Sequence, residues 1–419
     1  MAGPPLPRMA WRNLWRNRRR TLLTLVAITF GLLLAILFTA LQDRSFADMI
    51  DLAARMGAGH VTVEDAGWID APSLTRTVKD TPALVKLAES RPHVLRAVPR
   101  ISGPVMLATA GHSYGAGFMA IDPAQEDAQT MALLDAIHDG TMLDSSDGKG
   151  VLLGARLAHN LEVGLGDKVV YTLMDKQGEI QSGLARVQGL LVTGSDSADG
   201  GLAVLPLQTM RSLLGYAPGE ASQVAVFSDD ARKSEQIRAD LQAALAPTGQ
   251  AGAQVVTWNE LQPELKGFIA MKVGGARFME GVILLLVAAS IFNTLFVSVL
   301  ERSREFGILM ALGWTRGQVF GLVMWESLWL ALVGVSTGGL VTWVPYHYLA
   351  THPIDISAMA GGQSMDIAGV GMSPYLHVGI FPESLAVIVT AVILSTLLSG
   401  LYPAWRAGRT VPVDAIKLV

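Results

Sequence analysis

Four apolar stretches, at 21–41, 282–300, 319–344 and 385–401, constrain this chain more than any other feature. A bilayer core of about 30 Å takes about 20 helical residues, so each stretch reads as a membrane span. The third carries one acid, Glu326, and the fourth is short but runs on into Leu401-Tyr402-Pro403. The balance of the 419 residues agrees, with 51% apolar and 16% charged against about 25% charged in soluble domains. The first stretch exceeds the roughly 7–15 apolar residues of a signal peptide and lacks a small-x-small cleavage pattern directly after it. It is expected to be retained.

Lys and Arg set the orientation. Arg8, Arg12, Arg16, Arg18, Arg19 and Arg20 precede the first span, with no acid among them. Arg302, Arg304 and Arg316 follow the second span, Arg406, Arg409 and Lys417 follow the fourth, and 346–382 has no Lys or Arg. Both termini and the 301–320 segment are therefore expected to be cytoplasmic, with 43–277 outside as one large domain. That segment carries 28 acidic and 20 basic residues, which argues against nucleic-acid binding. The chain has no cysteine, so disulfide and thiol chemistry are excluded.

Within MAWRNLWRN (9–17), Trp11, Leu14 and Trp15 fall at i, i+3 and i+4 among arginines. This predicts a short interfacial elbow helix, with the tryptophans as anchors and the arginines toward membrane lipid headgroups. Helical periodicity continues beyond the first span over 46–59 and precedes the second over 259–282, so both helices are expected to extend outward as stalks. In the external domain, β-α-β (59–65, 82–90, 93–110) and later β-α-β (222–230, 231–246, 253–258) predict a split ferredoxin-like unit. A strand-rich insert at about 111–218 separates its halves. The expected fold class is an α-helical membrane protein with four transmembrane helices, one plus three, and a large α+β extracytoplasmic domain.

Catalytic and metal motifs are weak. GHSYG (111–115) fits G-x-S-x-G, but it lies between two strand-like runs and reads as a hairpin turn, not a nucleophile elbow. GSDSADGG (194–201) lacks calcium-loop spacing and reads as a solvated turn. The eight histidines are scattered, so no metal is expected. No phosphate-binding G-x-x-x-x-G-K-[ST] occurs, so no ATP hydrolysis is expected of this sequence. Glu326 is costly inside a span and is expected to pair with Arg302 or Arg304. Ala27/Gly31/Ala35, Gly334/Gly338 and Ala391/Ser395/Ser399 place small residues four apart, which predicts close helix packing.

NTLFVSVLERSREFGILMALG (293–313) resembles the FtsX-like permease signature of ABC transporters. PAWRAGRTVPVDAI (403–416) is similar to the C-terminal pattern of that family, and Glu326 with Gly334 and Gly338 falls where its third helix has E…G…G. In this family the segment between the second and third helices is a coupling helix seated in a separate ATPase subunit. The resemblance implies that role for 301–316. Glu301, Arg302, Arg304 and Glu305 would give a charged docking face, Phe306, Leu309 and Met310 apolar anchors, and Gly307 and Gly313 are part of the motif, Gly313 ending the helix. ATP and magnesium would be bound by the partner ATPase, and no cofactor by this chain.

RAVPRI (96–101), GFMAID (117–122), LLGARLAHNLEVGLGDKV (152–169), VQGLL (187–191) and VLPLQTMRSLL (204–214) look like pieces of lipoprotein-releasing permeases of the LolC/LolE type. That likeness implies a LolD-like ATPase, a second permease copy or paralogue, lipoprotein cargo and a periplasmic carrier as partners. It also implies location in a bacterial inner membrane. Phe38, Phe46, Met49, Phe278 and Met279, near the outer ends of the first two helices, are candidates for a cavity that holds acyl chains. MacB-type exporters of peptides or amphiphiles and FtsX-like activators of cell-wall hydrolases are the alternatives. MacB-type chains usually carry their own ATPase, a motif missing from this sequence.

The expected layout is an N-terminal segment with the elbow helix (1–20), a first span (21–42) and the external MacB-like domain (43–277). A second span (278–300), the coupling helix (301–317), a third span (318–345), an outer loop (346–382), a fourth span (383–402) and a tail (403–419) follow.

Overall fold

The computed structural model describes residues 6–144, 148–246, 252–356, 366–367, 370–371 and 375–409. In chain order, α1 (Leu6–Leu14) and α2 (Arg18–Met56) lead to β1 (Val61–Asp65), α3 (Thr81–Glu89), β2 (Val94–Ala108) and β3 (Ser113–Ile121). Next come β4 (Ile137–Gly140), β5 (Gly150–Gly154), α4 (Ala155–Asn160), β6 (Lys168–Met174) and β7 (Ile180–Leu191). They are followed by α5 (Asp196–Gly201), β8 (Leu202–Pro206), α6 (Leu207–Leu213), β9 (Gln223–Ser228), α7 (Ser234–Leu245), β10 (Ala253–Thr257) and α8 (Trp258–Leu261). The chain then forms α9 (Pro263–Glu301), α10 (Ser303–Ala311) and α11 (Arg316–Thr351). Four two-residue strands, β11 (Ile354–Asp355), β12 (Asp366–Ile367), β13 (Val370–Gly371) and β14 (Tyr375–Leu376), precede α12 (Pro382–Ala407). Two units divide the chain, one of 1–45, 270–355 and 375–419, the other of 46–269 and 356–374.

In the first unit α2, α9, α11 and α12 are long and apolar enough to cross a membrane. Leu25, Ile28 and Leu32 of α2 pack with Ile291 and Leu295 of α9, Leu330 of α11, and Ile388 and Val392 of α12. A Cβ added at Gly334 would meet Ile28 at 2.7 Å, and one at Gly338 would meet Leu32 at 2.6 Å. These glycines let α11 lie directly against α2. The bundle is lopsided: the apolar window of α9 is only 17% buried, against 44% for α2 and α11.

The helices run beyond the predicted spans. α11 continues through Pro345 to Thr351, and α12 through Pro403 to Ala407. A proline removes one backbone donor without preventing the helix from continuing when packing holds both sides; Pro403 itself is buried in the bundle. α2 and α9 have 39 residues each, about 58 Å at 1.5 Å per residue and nearly twice a bilayer core. Residues 357–365, 368–369 and 372–374 of the 346–382 loop, and the tail from 410 with Pro412, Ala415 and Lys417, lie outside the described residues.

In the second unit β1, β2, β9 and β10 form an antiparallel sheet in the order β10-β1-β9-β2. α3 joins β1 to β2 and α7 joins β9 to β10, which gives the ferredoxin-like arrangement of two interleaved βαβ halves. Val61, Val63, Leu84, Val224, Ile237 and Leu241 fill its core. Residues 93–110 form the single strand β2, whose N-terminal part pairs with β9 and whose C-terminal part pairs with β3 and β6. One strand thus belongs both to the ferredoxin-like sheet and to the insert, where β3, β8, β5, β7 and β4 continue the order.

GHSYG opens β3 after a turn closed by Thr109 N–H donating to His112 O at 2.8 Å, so it is a hairpin. The predicted solvated turn at 194–201 is instead a short helix. Ser195 caps α5 by accepting from Ala198 N at 3.3 Å, and Asp199 accepts from the backbone N and Oγ1 of Thr193, both at 2.7 Å. Local side-chain acceptors fold the segment on itself. Further along, Arg100 and Glu126 form a fully buried ion pair of 2.8 Å. Arg100 also donates to the carbonyls of Gly57 and Thr130 and stacks 5.3 Å over Phe227.

Candidate functional site

The stretch from Glu301 to Gln318 folds into three local pieces. α9 ends at Glu301, Arg302 leaves helical geometry at φ −99°, ψ 11°, and α10 begins at Ser303. Gly313 at φ +100° closes α10, with Gly313 N–H bonded to Met310 O and Trp314 N–H to Leu309 O. That backbone favours glycine, as a left-handed C-terminal cap requires. Thr315 and Gln318 then form a capping box that starts α11, the T-x-x-Q pattern of a helix N-terminus.

Arg302 organises the junction. Its Nη1 donates to both carboxylate oxygens of Glu326, at 2.9 and 2.8 Å, and its Nε donates to Glu305 at 3.3 Å. Asn13 Nδ2 donates to Glu326 Oε1 at 2.8 Å, Arg16 pairs with the other oxygen of Glu305, and Arg20 pairs with Glu301 at 2.6 Å. Burial works to raise the pKa of Glu305, but hydrogen bonds and charge from Arg16 and Arg302 outweigh it and hold the carboxyl below its ordinary value. These side chains, with Thr21, Thr24, Thr294 and Ser298 and the apolar Leu14, Leu295 and Leu330, line a cavity of about 290 Å³. Its six formal charges alternate in sign, so the cavity is close to neutral while each ion has a partner.

The helical period divides α10 differently from the sequence expectation. Phe306 and Gly307 are buried. Phe306 packs with Val319, Leu322, Val323 and Ala404, and Leu309 and Met310 lean on the same cluster. Phe306, Leu309 and Met310 are therefore core contacts and not free anchors, and Arg302 is engaged by Glu326. The outward face consists of Arg304, Ile308, Ala311 and, at the C-terminal end, Leu312, which is 76% exposed, while Glu301, the last residue of α9, is exposed but paired with Arg20. Glu326 takes Arg302 as its partner, and Arg304 stands exposed.

The remaining predicted site residues scatter. Phe38, Phe278 and Met279 are exposed on α2 and α9, Phe278 by 73%, and Phe46 is half-buried. Met49 is a correction, because it is only 6% exposed and packs with Ala53, Leu265, Trp258 and Phe268. The elbow is also corrected in detail. α1 ends at Leu14, before Trp15, and Trp11 packs edge-on against Trp329 of α11 at 5.2 Å. Trp329 Nε1 donates to Pro7 O at 3.0 Å. Arg16 and Arg20 read in the sequence only as orientation-setting charge and Asn13 carries no signal there, so their carboxylate partners are visible in the fold alone. Glu280, an acid at the outer edge of the expected second span, accepts from Thr39 at 2.5 Å; its place just ahead of the 282–300 apolar run is the available signal.

Four membrane helices in a one-plus-three order, a large external α/β domain and a charged helical junction define a transporter membrane subunit. The chain belongs to the FtsX-like ABC permeases with a MacB-like periplasmic core domain. The MacB-like periplasmic core domain matches residues 21–244 and the FtsX-like permease C-terminal domain matches 277–412. It is accordingly a bacterial membrane protein with a large extracytoplasmic domain, of a family that works with an ABC ATPase subunit.

The macrolide export ATP-binding/permease protein MacB of Nitrobacter winogradskyi is 25% identical over 99% of this chain, which spans 61% of that relative. LolC, the lipoprotein-releasing system transmembrane protein of Xylella fastidiosa, is 24% identical over 94% of this chain and 92% of its own. Among solved structures, the periplasmic region of MacB from Actinobacillus actinomycetemcomitans covers 52% of this chain and 98% of its own, at 14% identity and TM-score 0.35. The extracellular domain of YknZ covers 47% of this chain and 99% of its own, at 12% identity and TM-score 0.34.

Proposed function

We propose that this chain couples ATP hydrolysis on a separate, LolD-like ATPase to removal of lipid-anchored proteins from the bacterial inner membrane. In this reading both termini and α10 are cytoplasmic, and the outward face of α10 meets the ATPase. The observation that carries the cargo choice is the apolar flank of α9, where Phe278, Leu285 and Leu286 are open along a long helix. Acyl chains resist leaving the bilayer by about 0.8 kcal/mol per methylene, so extraction needs an apolar surface beside the membrane and an energy source. A second permease, identical or a paralogue, would close this flank. The apolar surface of the insert, with Met106, Met174 and Ile180 exposed, suits a periplasmic carrier.

Motion of the α10 face would pass through Arg302 into α11 and α1, and along the unbroken α9. The end-to-end similarity to LolC supports the lipoprotein reading. The equal similarity to MacB favours a second one, mechanical export of a peptide or amphiphile.

A photocrosslinking residue at Phe278 or Phe38 in living cells distinguishes the two. Acylated lipoprotein that is captured and then lost on ATP turnover supports extraction. Capture of an adaptor, or of nothing acylated, overturns the cargo assignment and leaves the permease family standing.

A further inference from the structure

α1 has two polar sides with different fates. Asn13, at its C-terminal end, and Arg16 and Arg20 beyond it are bound by Glu326, Glu305 and Glu301. Arg8 and Arg12, one helical turn apart, are exposed and make no ion pair among the described residues. Between them and α11 runs a groove of about 470 Å³ lined by Pro7, Arg8, Trp11, Arg12 and Trp329. Its walls are the two indole rings, packed edge to face at 5.2 Å. The one indole N–H that would make the Trp329 wall polar is already given to Pro7 O. The groove therefore offers an apolar slot beneath two uncompensated guanidinium groups.

We propose that this groove is a binding site for one anionic phospholipid of the leaflet on the N-terminal side, with its acyl chain between Trp11 and Trp329 and its phosphate on Arg8 and Arg12. Charge complementarity selects the occupant. Guanidinium groups match phosphate oxygens in paired hydrogen bonds, and no carboxylate lines the groove, the nearby Glu326, Glu305 and Glu301 being engaged by Arg302, Arg16 and Arg20. The bound lipid would complete the docking of α1 on α11, beside the Asn13–Glu326 contact. The site does not depend on which cargo the transporter carries.

The test uses the full chain, delipidated in detergent and examined by native mass spectrometry with added phosphatidylglycerol or phosphatidylcholine. One phosphatidylglycerol per chain is expected to be retained in preference to phosphatidylcholine. Arg8→Gln with Arg12→Gln should weaken retention roughly thirtyfold, and Arg18→Gln with Arg19→Gln, an equal loss of charge away from the groove, should leave it unchanged. Arg8→Lys with Arg12→Lys should retain most of the lipid, which controls for misfolding. Equal loss in both Gln variants would reduce the effect to diffuse electrostatics and overturn the site. So would equal retention of phosphatidylcholine, or no retention at all.

Discussion

Arg302 holds both oxygens of Glu326 across the gap between the α9–α10 junction and α11, at 2.9 and 2.8 Å, with each side chain largely buried. Removing one member of such a pair leaves the other buried and unmatched, at about 3–5 kcal/mol. Glu326→Gln and Arg302→Gln should each lower the thermal midpoint of the purified permease and weaken the response of the associated ATPase to cargo. The double variant should cost less than the sum of the two. Strict additivity in this cycle would refute the pairing as a coupled unit.

The two faces of α10 should separate stability from partner binding. Ile308→Asp and Leu312→Asp alter exposed positions, and surface substitutions usually stay within about 0.5 kcal/mol. They should abolish co-purification of the ATPase while leaving the unfolding midpoint in place. Phe306→Ala, fully buried, should destabilise the permease by about 3 kcal/mol. ATPase retention in both Asp variants would count against docking through this face.

Glu64 gives the external domain a pH dependence. It is fully buried in β1 with Oε2 unmatched, and burial pushes its pKa up from 4.5 to about 7. The folded state therefore holds a proton that the unfolded chain releases near 4.5. Stability from this group is complete below pH 4.5 and is lost as pH rises through 7, by on the order of 3 kcal/mol. Glu64→Gln should flatten that slope and stabilise the domain at pH 8, read as slower amide exchange across Val61–Asp65 in the full chain. An unchanged slope would refute the assignment.

Arg100 fixes the end of α2 to the sheet through Gly57, Glu126 and Thr130. Arg100→Met should accelerate amide exchange in both Arg55–Gly59 and β2, because Glu126 is left buried without its cation. Acceleration confined to β2 would show that the α2 terminus is held by other contacts.

Local periodicity made the four spans and both βαβ halves legible, because 3.6- and 2-residue repeats are written in neighbouring residues. The side of α10 that faces the bundle was not. Phe306, Leu309 and Met310 suit a partner groove as well as a core, and only the packing of Val319 and Ala404 decides between them. Met49 is ambiguous for the same reason, its partners being Leu265 and Trp258. Asn13–Glu326 and Arg16–Glu305 join residues 313 and 289 positions apart, a separation at which one sequence carries no pairing signal. Glu326 announced that it needed a counter-ion, and the arginine motif narrowed the choice to two.

Val61 of β1 sits opposite Thr257 of β10, so the chain leaves the external domain beside the point where it came in. Such an arrangement makes the domain a cassette. A change of length within the domain, between β1 and β10, leaves the points at which the chain enters and leaves it side by side.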